Sequence, residues 1–168
     1  MSVNLIVAVD QNFAIGYKNE LLFKLKKDMK HFRETTLNSF CLMGKNTFKS
    51  LPSPLKNRRN VVLTRDINYK IKHPDVIIEH DLKHVLHLYK ESGLQDKELF
   101  IIGGQSIYEQ SLPYVDNIYL TFIGEKAEKK DTYFPMIDII KDFKIVDSKY
   151  DCEDNVHFNI LKFERRDK

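Results

Sequence analysis

The chain has no tryptophan, two cysteines and six glycines among its 168 residues, and each scarcity excludes something. Cys41 and Cys152 cannot build a disulfide framework, so the fold must rest on a packed core and suits a reducing compartment. Six glycines leave no Gly-rich linker, and the G-x-G-x-x-G dinucleotide fingerprint is absent. No apolar run is long enough for a membrane span. The N-terminal Leu5-Ile6-Val7-Ala8-Val9 lacks the charged flank and cleavage site of a signal peptide. A cytoplasmic protein without a membrane partner is expected. Charge of one sign is also scarce. A net +3, spread along the chain, favours small anions mildly. The lysines at 24, 26, 27 and 30 lack the interleaved exposed aromatics and strongly basic face of a nucleic-acid binder.

What is present is a globular composition, 42% apolar and 30% charged, in a length that suits one domain with a sizeable core. Short runs rich in Val, Ile and Leu predict strands over 3–9, 40–43, 60–64, 76–79, 99–102 and 118–123. Helical patterns fall between them, over 26–36, 46–51, 82–92 and 106–112. Alternation of this kind predicts an α/β fold, a single domain over 1–168 with a mostly parallel twisted sheet and flanking helices. In the tail, 143–150 and 156–164 alternate apolar and polar residues around Cys152-Glu153-Asp154-Asn155. They predict a C-terminal antiparallel hairpin at the sheet edge.

The stretch from Ala14 to Asp28 reads as a long loop, marked by Gly16 and Asn19, that enters a helix. Asp28 in the first turn and Phe32 four residues on share a helix face, so a carboxylate and a ring suit a flat ligand with a polar edge. On the residues alone, the favoured reading is structural: the helix dipole accounts for such an acid, at about 0.3–1 kcal/mol, and ordinary core accounts for Phe32. Phe40-Cys41-Leu42-Met43-Gly44-Lys45-Asn46-Thr47 reads as strand, turn and helix start, capped by Asn46 or Thr47. Its exposed amides and Lys45 fit a phosphate site or a routine connection. Leu99-Phe100-Ile101-Ile102-Gly103-Gly104 places two glycines between a buried strand and a helix, where backbone can approach a ligand closely. His84 and His87, with His80 nearby, lack the further ligands of a metal site, so no metal is expected.

Taken together, Ala14-Ile15-Gly16, Lys18-Asn19 and the Asp28–Phe32 pair resemble the substrate loop and helix of bacterial dihydrofolate reductase. Further matches follow in the family's order. Pro52-Ser53-Pro54-Leu55-Lys56-Asn57-Arg58-Arg59-Asn60-Val61-Val62-Leu63-Thr64-Arg65 resembles the segment whose arginine grips the glutamate tail of folate, here Arg58, with Arg59 pointing elsewhere. Gly103-Gly104 matches the family's cis pair against the cofactor pyrophosphate. Asp131-Thr132-Tyr133-Phe134-Pro135 matches a structural segment that closes the C-terminal part over the sheet.

The resemblance implies NADPH-dependent reduction of dihydrofolate to tetrahydrofolate, with Asp28 as the catalytic carboxylate that orients and polarises the pterin while water delivers the proton. It implies a pterin pocket of Ile6, Ala8, Leu21, Phe23, Phe32, Leu51, Leu55 and Ile102, with Thr121 hydrogen-bonding the pterin amino group alongside Asp28. For NADPH it implies Ala8, Ile15 and Gly16 on the loop side, then Gly44, Lys45, Asn46 and Thr47. Leu63, Thr64 and Arg65 lie near the 2′-phosphate, and Gly103, Gly104, Gln105, Ser106 and Ile107 near the pyrophosphate. A monomer inhibited by diaminopyrimidine antifolates is the expectation that follows. The chain departs from the family at several places. Leu22-Phe23 stands for Pro-Trp, Lys26 for a proline, Asn46 for a second basic residue, Gln105 for a glycine and Lys130 for the glycine before Asp131. A reductase of a ribosylated pyrimidine is the rival on a related fold, and the Arg58 context favours folate.

Overall fold

The structure, a computed structural model, describes residues 2–93 and 96–166. Its elements in order are β1 (Val3–Val9), β2 (Ala14–Tyr17), β3 (Glu20–Leu21), α1 (Lys26–Thr35), β4 (Phe40–Gly44), α2 (Lys45–Ser50), β5 (Arg59–Leu63), β6 (Val76–Glu79) and α3 (Leu82–Glu91). There follow β7 (Leu99–Gly103), α4 (Gln105–Ser111), a 3-10 turn (Leu112–Tyr114), β8 (Asn117–Ile123), β9 (Thr132–Tyr133), α5 (Met136–Asp142), β10 (Phe143–Glu153) and β11 (Val156–Arg165).

Eight strands form one sheet in the order β10-β11-β8-β1-β7-β4-β5-β6. From β8 through β6 the neighbours are parallel, while β11 runs antiparallel to β8 and β10 antiparallel to β11. Strands covered on both faces must be apolar along their whole length. Accordingly Leu5, Leu42, Val62, Ile101 and Leu120 are fully buried. The hairpin does form the sheet edge, and β10 exposes most of its residues there.

The two faces of the sheet differ. Leu5, Val7, Val9, Leu42 and Ile101 join residues of α3 and α4 and Ile139 of α5 in one continuous core. On the other face the apolar residues divide into two small clusters. One is Leu25, Ile123 and Phe158, with Ala8 and Phe23 against it. The second is Cys41, Met43 and Val62, with Leu51, Leu55 and Ile102 against it. The core on this face is thus parted in two.

Two predicted features need correction. The stretch after β1 is not a plain loop. β2 and β3 form a hairpin through Lys18 and Asn19, both at positive φ, as a two-residue turn requires, and β2 also pairs with β9. A Cβ on Gly16 would lie 2.9 Å from Thr132 Oγ1 and 3.0 Å from the Glu20 carbonyl, so glycine is what permits this approach. The pairing with β9 joins segments more than a hundred residues apart, which local pattern does not reveal. Helix α2 starts one residue earlier than expected, with Gly44 at its cap and no side-chain cap bond, so neither Asn46 nor Thr47 caps it. Helix α5 went unpredicted.

Candidate active site

Parallel strands align their C-terminal ends, and here Gly44 of β4 stands beside Leu63 of β5, and Leu63 beside Glu79 of β6. Met43 pairs with Gly103 after a register irregularity. The crevice outside such strand ends is where α/β sheets hold ligands. A groove of about 910 Å³ lies there. Gly44, Lys45, Asn46, Thr47, Leu63, Thr64, Arg65, Gly104, Gln105, Ser106 and Ile107 all line it. A smaller space of about 150 Å³ is lined by Ala8, Ile15, Gly16, Leu21, Ile102, Gly103 and Gly104. Every residue expected at the cofactor thus falls on one of two cavities that share Asn19, Thr47, Gly104, Gln105 and Thr132.

The Gly103–Gly104 bond is cis. A Cβ on Gly103, at φ 125°, would lie 3.3 Å from the Tyr108 hydroxyl, which itself donates to the Ile6 carbonyl at 2.8 Å. Lys45 pairs with Asp66 at 3.3 Å and lies 4.8 Å over the Tyr69 ring. The Gln105 side chain is committed elsewhere, accepting from Tyr133 N at 2.9 Å and donating to Glu109 at 3.0 Å. The groove also holds His80 and Lys83, which the sequence reading did not include. Their signal is their place at the end of β6 and the start of α3, visible only once β6 is known to be the sheet's last strand.

Asp28 is the third residue of α1, and Thr121 of β8 donates to its Oδ1 at 2.6 Å. Thr121 pairs across the sheet with Ala8, so the acid, the hydroxyl and the small β1 residue form one corner. Burial pushes the Asp28 carboxyl above its ordinary value, opposed by the Thr121 hydrogen bond and by His31 one turn on. Phe32 is half-buried on the same helix. Phe23 packs with Ala8 on one apolar cluster, and Leu51 and Leu55 with Ile102 on the other. Of the residues expected on the substrate side, Ala8, Phe23, Leu51, Leu55 and Ile102 therefore pack on the two clusters.

Arg58 is buried at 8% exposure. Its Nε donates to Thr36 Oγ1 at 2.9 Å, Nη1 to the Lys56 carbonyl at 2.6 Å and Nη2 to the Arg33 carbonyl at 2.6 Å. These bonds use three of the five N–H groups of a guanidinium and leave one on each terminal nitrogen, a pair matched to a carboxylate. Arg59 does point away, to the Pro74 carbonyl at 2.7 Å.

Three contacts support this geometry without having been foreseen. Glu153, at the end of β10, accepts from the backbone N–H groups of Lys26 and Lys27 at 2.7 and 2.9 Å, capping α1 from across the fold. Asp10, fully buried, accepts from the backbone of Asn12, Ala14 and Ala127 and pairs with Lys130 at 3.4 Å. Asp131 accepts from Lys18 N at 2.9 Å. His84 and His87 are exposed on α3.

The chain as a whole is similar to known proteins. The family model described as dihydrofolate reductase matches residues 2–166. The dihydrofolate reductase of Staphylococcus aureus is 37% identical over 135 residues, 80% of this chain and 79% of that one. That of Buchnera aphidicola subsp. Baizongia pistaciae is 35% identical over 169 residues, 96% of this chain and 98% of its own. Among solved structures, dihydrofolate reductase from Enterococcus faecalis complexed with NADP(H) and RAB-propyl superposes with a TM-score of 0.88 at 27% identity. It covers 99% of this chain and 97% of its own.

Proposed function

The chain belongs to the dihydrofolate reductase family and reduces 7,8-dihydrofolate to 5,6,7,8-tetrahydrofolate with NADPH, and from that premise we propose how its own residues divide the work. The reaction adds a hydride at C6 and a proton at N5 of the pterin. NADPH, when bound, supplies the hydride. The groove fits it chemically, since Lys45, Arg65 and Lys83 bring cations to a cavity of adequate size and the glycine pair leaves its backbone bare.

Asp28 orients the pterin. A carboxylate has two acceptor oxygens, and the pterin presents an N–H and an amino group along one edge. The observation that carries this reading is the Thr121–Asp28 hydrogen bond beside Ala8, which holds the acid at the parted core. Water brings the proton to N5, and the apolar walls from Phe23, Leu51, Leu55 and Ile102 exclude the rest of the solvent, which strengthens the field of Asp28. The two spare N–H groups of Arg58 receive the α-carboxylate of the glutamate tail. The hairpin of β2 and β3 lies along the smaller cavity and closes over the nicotinamide.

A diaminopyrimidine has the same donor edge as the pterin, so antifolates of that class compete at Asp28. The chain acts as a monomer, which the charged residues and the register shift between Ile145 and Asp147 on edge strand β10 favour by discouraging strand addition. We place it in the cytoplasm, in keeping with its two unpaired cysteines.

Loss of NADPH absorbance in the presence of dihydrofolate tests the assignment. Turnover is expected with NADPH and much slower with NADH. Asp28→Asn keeps the shape but removes the charge, so its turnover near neutral pH should fall roughly 10²–10³-fold while NADPH still binds. Wild-type-like turnover in Asp28→Asn overturns the role given to Asp28.

A further inference from the structure

Three successive parallel strands each deliver a basic residue to the large groove. Lys45 follows β4, Arg65 follows β5 and His80 follows β6. The manner in which the His80 ring is held sets it apart. Its Nδ1 lies 2.7 Å from the Thr64 carbonyl oxygen. A carbonyl only accepts, so Nδ1 carries a hydrogen. The neutral ring then presents a bare lone pair at Nε2, and Nε2 becomes a donor only when the ring takes up a second proton. One backbone carbonyl therefore fixes both where the ring sits and which nitrogen responds to pH.

We propose that His80 is a proton-dependent contact for the 2′-phosphate of NADPH, so that this chain's preference for NADPH over NADH grows as pH falls. The inference rests on the NADPH reading above. Thr64 and Arg65 were expected at that phosphate, and Thr64 is the residue to which His80 is tied. A phosphate stabilises the imidazolium, whereas a bare Nε2 lone pair repels it.

The charged groups around the ring favour this assignment. Arg65 and Lys83 share the groove and attract the same phosphate. The nearby acids are turned to other work. Asp66 pairs with Lys45 and accepts from Asn68 N, and Asp81 accepts from His84 N to cap α3. Glu79 lines a cleft with Val61, Val85 and Leu88 instead of this groove. Asp66, held below its ordinary value by the Asn68 N–H, Lys45 and His80, and Asp81, which lines the groove, act on the ring in the free and the bound protein alike. The phosphate adds to them.

The test is calorimetric titration of NADPH and NADH into the wild-type protein and His80→Gln, at about pH 6.5, where an ordinary imidazole is about half protonated, and about pH 8.5, where it is neutral. Both lie above the last phosphate ionisation, at about pH 6. In the wild type, NADPH should bind roughly three- to tenfold more tightly at the lower pH, with proton uptake visible as a dependence of heat on buffer ionisation enthalpy. NADH should show neither effect. His80→Gln should lose the NADPH slope and the proton uptake while binding NADH as the wild type does. A slope that survives in His80→Gln overturns the proposal, as does a wild type without a slope. Equal weakening of NADPH and NADH would also overturn it, since the ring would then be supporting the groove. If the wild type bound neither cofactor, the NADPH reading itself would fall first, an outcome distinct from these.

Discussion

Asp28 meets opposing demands, and they separate in a single substitution. Burial raises its carboxyl, against the Thr121 hydrogen bond and His31. An acid raised in the folded state holds its proton more tightly there than in the unfolded chain. Stability therefore falls as pH rises from the unfolded value, about 3.9, through the folded one, and stays lower above it. Asp28→Asn removes that penalty, and its amide oxygen still accepts from Thr121. Thermal melts should show the variant more stable than wild type near neutral pH and the difference gone below about pH 3.9, while turnover drops, as expected where activity and stability compete. Arg58 poses the reverse case, because one side chain serves ligand and fold together. Arg58→Lys gives up the bidentate pair, and dihydrofolate should bind about 1–3 kcal/mol more weakly. It also strips a donor from buried Thr36 and from the Arg33 and Lys56 carbonyls, so the melting temperature should fall as well. A pterin without the glutamate tail separates the two losses, since its affinity should barely change. Equal losses for both ligands would show that Arg58 acts through the fold alone. Both residues were legible in the sequence because the family's motif fixes them by position. The partners of Arg58 were not, since Thr36 and Arg33 belong to another element.

Helix α1 shows how an element can be named from sequence while its support stays hidden. Lys26 stands where the family has a proline, so the helix gains an N–H that must find an acceptor. Glu153 supplies it, and takes the Lys27 N–H too, from a hairpin more than 120 residues away. Glu153→Ala should cost about 0.5–2 kcal/mol, the range for a lost helix cap, or roughly 2–4 °C per kcal/mol in the midpoint of a chain this size. Asp28 lies one residue beyond the capped pair, so turnover should fall along with the midpoint. An unchanged melt would mean that water replaces the carboxylate at no cost. The segment between β3 and α1 carries the other departure. Phe23 packs with Ala8 on the Leu25, Ile123 and Phe158 cluster, but it cannot donate a hydrogen bond as an indole does. Phe23→Trp should alter turnover and diaminopyrimidine affinity, with NADPH affinity changed much less. Stopped-flow turnover and inhibitor titration on the one variant decide it. A change confined to NADPH would remove Phe23 from the pterin side.

At the scale of the whole molecule, two loops far apart in sequence meet at Asp10. Burial alone would raise its carboxyl, but the backbone N–H groups of Ala127, Ala14 and Asn12 and the Lys130 ammonium outweigh it and hold it below the ordinary value. An acid lowered in the folded state stabilises above the unfolded value, and that stabilisation is lost as pH falls through the folded one. Asp10→Asn should therefore destabilise near neutral pH, with faster hydrogen exchange at Ala14 and Ala127, and its deficit should shrink in acid. A deficit independent of pH would mean that shape, not charge, is what Asp10 contributes. Lys130, a departure from the family when read in sequence, becomes in the structure the cation for this buried acid. The sequence by itself determined the α/β alternation and the edge hairpin, because periodicity is a local property, and the resemblance of its motifs to a family singled out Asp28, Arg58 and the strand-end residues that line the large groove. Only the tertiary structure decided the β2–β9 pairing, the Glu153 cap, the Asp10–Lys130 pair and the place of His80. Each of these depends on which distant segments the sheet order brings together, and no short-range pattern encodes that order.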